Sequence, residues 1–189
     1  MVGHNRRIIA ASLTAGLMLA NLPAQAWTPE ELKRLRAGDV VVTSTSRNRG
    51  GIIGASIVVP APPRLVYTLV ADPQNTPRYS PEISAVTVIE DQGLQKRVRM
   101  RVRQFGLIDE EHEVVSTYQP YSSVTWQQVK GRFAHQDGAW KVSSFDAGTI
   151  LTYHLDIDVG ASLPSFFIEA FLRTTIPNLM RNVRKQFGT

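Results

Sequence analysis

The sequence predicts an α+β chain, a run of antiparallel strands followed by one long C-terminal helix, and three observations carry that prediction. Between Ile83 and Val159 apolar residues recur largely at alternate positions, the period of a half-buried strand. Short turn-rich intervals separate these runs, at Asp91-Gln92-Gly93, Phe105-Gly106, Gln119-Pro120, Asp137-Gly138 and Asp146-Ala147-Gly148. Loops of that length suit hairpins and leave no room for crossover helices. From Leu163 to Phe187 the period lengthens to that of an amphipathic helix.

In chain order, residues 1–26 read as a signal peptide. Met1 to Arg7 carries two arginines and no acid, Ile8 to Leu22 is almost wholly apolar, and Ala24-Gln25-Ala26 has the small-x-small form of a signal-peptidase site. The other reading is an N-terminal membrane anchor. Against it, the apolar run is about 15 residues, broken by Ser12, Thr14 and Asn21, where a spanning helix needs about 20. Arg6-Arg7 lacks the flanking residues that a twin-arginine export signal would require. Residues 27–38 read as a helical extension, in which Thr28 caps, Pro29 takes the first helical position, Glu31 completes a capping box and Gly38 ends the helix.

Asp39 to Ser46 and Ile52 to Val59 are β-branched runs on either side of Arg47-Asn48-Arg49-Gly50-Gly51; they pair through a turn, or form one strand broken by a bulge. Pro60-Ala61-Pro62-Pro63 stops the second run. Leu65, Val66, Leu69 and Val70 then recur at helical spacing as far as Asp72-Pro73, and a further helical turn follows over Asn75 to Tyr79. Ile83 to Glu90, Leu94 to Phe105, Asp109 to Gln119, Ser123 to Phe133, Gly138 to Phe145 and Thr149 to Val159 read as six strands. In the last helix Phe166, Phe167, Ala170, Phe171 and Leu179 mark an apolar face, and Pro177 predicts a kink near Thr174. Residues 39–189 form one domain, without internal repeat or low-complexity tract.

Composition narrows the function classes. The chain has 189 residues and no cysteine, which excludes a disulfide scaffold, thiolate metal ligation and a catalytic thiol. The net charge of +5 falls to 19 basic against 16 acidic residues once the leader is set aside. A domain with that balance lacks the concentrated basic surface of a nucleic-acid binder. A Gly-x-Ser-x-Gly elbow, a Walker loop, a dinucleotide fingerprint and a His-Glu-x-x-His motif are all absent, and nothing calls for a cofactor.

Strand parity supplies the candidate site. Arg97, Arg99, Arg101 and Arg103 alternate with Val98, Met100 and Val102, so the arginines share one face and the apolar residues the other. The arginines make either a solvated sheet face or a phosphate-binding stripe. A hairpin with the next strand places Asp109, Glu111 and Glu113 beside them, and cross-strand pairs of opposite charge favour the first reading. The same register turns His112, Val114, Ser116 and Tyr118 inward beside Val98, Met100 and Val102. Three polar groups on an inner face line a cavity, or are satisfied by backbone and buried water. Tyr153, Leu155 and Ile157 face inward in the last strand, and His154, Asp156 and Asp158 face outward; side chains on one strand face splay too far apart for a metal centre, so none is expected.

The element order, with particular stretches, resembles the START-like (SRPBCC) superfamily, the polyketide cyclase/dehydrase and coenzyme Q-binding-protein-like group. The stretches are Ile57 to Tyr67 (IVVPAPPRLVY), Leu69-Val70-Ala71-Asp72-Pro73, Tyr79-Ser80-Pro81-Glu82-Ile83, Gly138-Ala139-Trp140-Lys141-Val142, Gly148 to Tyr153 and Ile176-Pro177-Asn178-Leu179. The resemblance implies a helix-grip fold, in which a curved antiparallel sheet wraps around the long C-terminal helix and leaves a cavity. It also implies a hydrophobic ligand such as a lipid, an isoprenoid or quinone, or a polyketide, and carries over no catalytic set.

Parity and resemblance together give the expected lining: Val98, Met100, Val102, His112, Val114, Ser116, Tyr118, Trp126, Trp140, Tyr153, Leu155 and Ile157, with Phe167 and Phe171 from the helix. The reading is an exported, periplasmic or secreted binding protein for a hydrophobic small molecule, exchanging its ligand through transient membrane contact. One alternative is a cyclase or dehydrase with His112 as general base and Tyr118 as general acid. The other is a cell-envelope interaction module docking through the helix Thr28 to Arg36 or the arginine face.

Overall fold

The computed structural model describes residues 27–47, 49–104, 106, 108–146, 148–160 and 171–188. Helix α1 (Pro29–Arg36) begins at Thr28, whose hydroxyl accepts the Glu31 amide while Glu31 reaches back to the Thr28 amide, the predicted capping box. Strands β1 (Val41–Arg47) and β2 (Gly50–Val59) form a hairpin, pairing from Val41↔Ser56 to Arg47↔Gly50, so the single bulged strand is set aside. Helix α2 (Pro63–Ala71), a 3₁₀ turn (Pro73–Asn75) and helix α3 (Thr76–Tyr79) follow. Six further strands complete the sheet: β3 (Ile83–Asp91), β4 (Gln95–Gln104), β5 (Ile108–Gln119), β6 (Ser123–Lys130), β7 (His135–Phe145) and β8 (Gly148–Asp158). A π-helical turn (Phe171–Thr175) leads into helix α4 (Ile176–Lys185).

All eight strands form one curved antiparallel sheet in the order β1-β2-β8-β7-β6-β5-β4-β3. The run from β3 to β8 is a meander built from the short turns, and β2 closes on β8 so that α2 and α3 are carried across the concave face. Helix α4 lies on that face. Ile176, Leu179, Met180 and Val183 are buried in one core with Ile53, Ile57 and Val59 of β2, Val66 and Val70 of α2, and Leu151 and Leu155 of β8. Its C-terminal end is tied down by Arg184 Nη1, which donates to the Val58 carbonyl at 2.8 Å, and by Asn182 Nδ2, which donates to the Tyr79 carbonyl at 3.2 Å.

The kink expected near Thr174 takes the form of the π turn. Pro177 has no N–H to give the Arg173 carbonyl and its ring crowds that oxygen, so the widened turn just before it relieves both problems. The sequence-predicted helix start at Leu163, with residues 161–170, lies outside the described residues.

Two strand boundaries differ from the sequence reading. The strand predicted over Ser123–Phe133 ends at Lys130, and β7 begins at His135, three residues before the expected Gly138. Asp137-Gly138 is therefore no turn. Gly138 sits inside β7, opposite Trp126, whose indole occupies the space a Cβ would need. A glycine there serves close packing, a role that local sequence does not distinguish from a turn.

Candidate functional site

The β4–β5 register is the predicted one: Arg99 lies opposite Glu113, Arg101 opposite Glu111 and Arg103 opposite Asp109. Its outer face is a lattice of ion pairs. Glu113, almost wholly buried, takes two hydrogen bonds from Arg97 on one oxygen (3.0 and 2.7 Å) and two from Arg99 on the other (3.0 and 2.9 Å). These bonds, Arg97 first, hold the Glu113 carboxyl below the usual carboxylate range. Arg101 and Arg103 both engage Asp109, at 2.8 and 3.4 Å. The stripe is thus answered by acids of its own sheet, and the solvated-face reading stands over phosphate binding.

On the concave face the same register brings the inward residues to a cavity under α4. It has two adjoining lobes, of about 140 and 100 Å³. Val98, Met100, Val114, Ser116, Tyr118, Trp126 and Trp140 line the larger lobe, while Val102 and Ile157 line the smaller; His112 and Tyr153 border both. Both tryptophans, whose orientation depended on the turns before them, therefore face the cavity. Leu155 is fully buried in the core and lines neither lobe. Phe167 and the Phe171 side chain lie outside the described residues.

Residues that strand parity missed complete the walls. Tyr79 of α3, Ile83 of β3 and Leu179 of α4 come from elements that approach the sheet from elsewhere in the chain. Val124 was within reach of the parity argument, since it pairs with Tyr118. Gln136, which borders both lobes, was hidden because the expected strands end at Phe133 and resume at Gly138.

One wall is a continuous aromatic surface. Tyr79 meets Trp140 edge to face at 6.2 Å between ring centres, Trp140 meets Tyr153 at 4.7 Å, and Tyr153 meets Trp126 at 5.6 Å. Such pairs add to burial and fix the rings in place.

The histidine and tyrosines of the cavity are uncharged. Burial pushes His112 down to about 4, and pushes Tyr79 and Tyr118 up to about 12 and Tyr153 up as well, so all four are uncharged at neutral pH. Among the described residues the lining holds no lysine or arginine, and Glu82 is its one carboxylate, accepting from the Ser80 hydroxyl at 3.2 Å.

His112 and Tyr118 stand six residues apart on one strand, roughly 20 Å of extended chain. They border one cavity from separated positions, so as an acid–base couple they would have to act on distant parts of one ligand. On the convex face Asp156 pairs with Arg47 at 2.9 Å, and Asp158 accepts from the Gly160 amide. Among the described residues no three histidine or carboxylate side chains converge as metal ligands, and no described helix is long and apolar enough to cross a membrane.

The family model described as "Polyketide cyclase / dehydrase and lipid transport" matches residues 59–184. No match was found among the curated proteins. Among solved structures, the chain is similar to a STAR-related lipid transfer protein from Xanthomonas axonopodis, with 13% identity and a TM-score of 0.65, covering 79% of this chain and 94% of that one. It is also similar to the ZhuI aromatase/cyclase from Streptomyces sp. R1128, with 17% identity, a TM-score of 0.59, and 78% and 93% covered. Human StAR-related lipid transfer protein 5 superposes with a TM-score of 0.66 at 12% identity, covering 79% and 82%. At these identities the likeness is one of fold.

Proposed function

The chain belongs to the polyketide cyclase/dehydrase and lipid transport family, and from that premise we propose that it is an exported binding protein for a hydrophobic small molecule, a lipid, an isoprenoid or quinone, or a polyketide-like compound. Family and fold establish a START-type domain of the ligand-binding or cyclase-like kind; the binding role is the reading that the cavity favours. The observation that carries it is an aromatic and aliphatic cavity with no cationic side chain in its described lining. Apolar burial there contributes about 25 cal/mol per Å². For comparison, an engineered apolar cavity of about 150 Å³ takes up benzene, so each lobe suits a ring-sized or isoprene-sized group.

The separation of His112 from Tyr118 weighs against a cyclase that would use them as one acid–base couple. The pairing of the arginine face within its own sheet likewise weighs against a docking module built on that face. Export rests on the leader pattern of residues 1–26, and predicts a mature chain whose first residue on N-terminal sequencing is Trp27; an uncleaved Met1 would overturn it.

Trp126 and Trp140 make binding directly measurable. Titration with a neutral apolar probe, N-phenyl-1-naphthylamine, is expected to show saturable one-to-one binding with energy transfer from these tryptophans. Val114→Trp, which fills the larger lobe, is expected to abolish it. Non-saturable binding, or binding indifferent to that substitution, would overturn the proposal. His112→Ala distinguishes carrier from enzyme: a carrier loses affinity alone, whereas an enzyme loses turnover.

A further inference from the structure

Buried polar atoms without partners are rare in folded proteins, because each costs the hydration it has lost. Among the described residues there are three on side chains: His112 Nδ1, Gln128 Oε1 and Gln136 Oε1. They belong to three neighbouring strands, β5, β6 and β7; His112 and Gln136 border both lobes of the cavity, whereas Gln128 lines neither. Gln128 pairs beside Val114, two residues from His112, and Gln136 stands one residue beyond Asp137, where β6 and β7 cease to pair. Gly131 keeps the row open, since the position of a Cβ there lies 2.8 Å from Gln128 Oε1 and 3.0 Å from the His112 Cβ. His112 is 4% exposed, and His112 and Gln136 stand where the two lobes meet.

The chemistry of the row is specific. Gln128 Nε2 donates to the Phe133 carbonyl at 2.8 Å, which fixes the amide so that the unpartnered atom is the oxygen, an acceptor. A neutral histidine offers Nδ1 as acceptor or as donor, depending on its tautomer. A hydroxyl both donates and accepts, so it can donate to a glutamine oxygen while accepting from a protonated Nδ1, or donate to Nδ1 in the other tautomer; an ether or ketone only accepts. A carboxylate or phosphate would be buried beside Glu82 with no lysine or arginine in the described lining to answer it.

We infer that His112 and Gln136 are the polar anchor of the ligand and that they select a neutral hydroxyl-bearing molecule, an alcohol or a phenol, whose apolar parts fill the two lobes. This rests on the binding role proposed above and names the ligand class within it. It assigns Gln136 as a specificity-determining residue alongside His112.

The test is a displacement series on protein stripped of co-purified ligand, using N-phenyl-1-naphthylamine as reporter and three competitors of one size: 2-naphthol, 2-methoxynaphthalene and 2-naphthoate. The anchor predicts that 2-naphthol competes at a concentration about tenfold or more below 2-methoxynaphthalene, because the ether leaves the acceptors unpaired. It predicts that 2-naphthoate is the weakest of the three. Gln136→Leu should shrink the naphthol preference to within about threefold without weakening 2-methoxynaphthalene. Equal competition by 2-naphthol and 2-methoxynaphthalene in the unsubstituted protein would overturn the anchor and leave the binding role standing. Failure of the reporter itself to bind would overturn both. If a substituted chain does not fold, the unsubstituted series decides alone.

Discussion

His112 enters the cavity as a base without a counterion, and this gives it a pH signature. Burial lowers it from 6.5 to about 4. Between those values the unfolded chain holds a proton that the folded chain does not, so folding stability declines as pH falls from about 6.5 toward 4. The decline attributable to His112 is about 2 kcal/mol by pH 5. Urea midpoints of the protein and of His112→Phe, compared at pH 7 and pH 5, are expected to show a loss in the first that is largely missing from the second. Parallel losses would show that His112 does not carry it. His154, also lowered by burial, lies on the convex face and contributes the same background to both proteins. The inward orientation of His112 was legible from alternation on β5. That it lacks a partner was not, because this depends on Gln128 and Gln136 from strands whose approach no local pattern encodes.

At the scale of elements, charge favoured the β4–β5 pairing in the sequence: an even register shares one face between arginines and acids, and the structure sets Arg99, Arg101 and Arg103 opposite Glu113, Glu111 and Asp109. The β6–β7 boundary was illegible for a definite reason: Gly138 is small to admit the Trp126 ring, and a glycine after an aspartate reads locally as a turn. The ion-pair lattice makes a graded prediction. Glu113 is almost enclosed and engages two arginines, whereas Asp109 is half exposed. Glu113→Ala is therefore expected to lower the melting temperature more than Asp109→Ala, and to retain more of its effect in high salt. The reverse order would show that the lattice is not organised around Glu113. Its depressed carboxyl adds stability that is present above the ordinary carboxylate range and lost as pH falls through its folded value.

Helix α1, expected as an extension ahead of the domain, packs Leu35 fully buried with Val41 and Ile150 on the convex face of the sheet. A helix packed in this way is expected to unfold together with the sheet. Leu35→Ala is expected to destabilise the whole chain by about 2 to 4 kcal/mol in a single cooperative transition. A second, separate transition would show that α1 is an independent appendage.

For the whole molecule, the fold class, the meander and the last helix follow from periodicity and turn placement, because each is a repeated local preference. The cavity is a different kind of property. Its walls on β4, β5 and β8 follow from parity, but Tyr79 and Leu179 enter from helices, and the space left over is set by how closely α4 approaches the sheet. Periodicity fixes which face a side chain takes and is silent on the distance to the opposite wall. A two-lobed space bordered by aromatic rings, with no cationic side chain in its described lining, is therefore the structural fact on which the functional account turns. The most direct measurement is native mass spectrometry of the protein isolated from its own cells, followed by denaturing mass analysis of the same sample. The account predicts a bound, neutral, hydroxyl-bearing apolar molecule that is present under native conditions, released on denaturation, and absent from Val114→Trp. A chain with the bare polypeptide mass in both conditions, which also takes up no apolar compound when offered one, would contradict it.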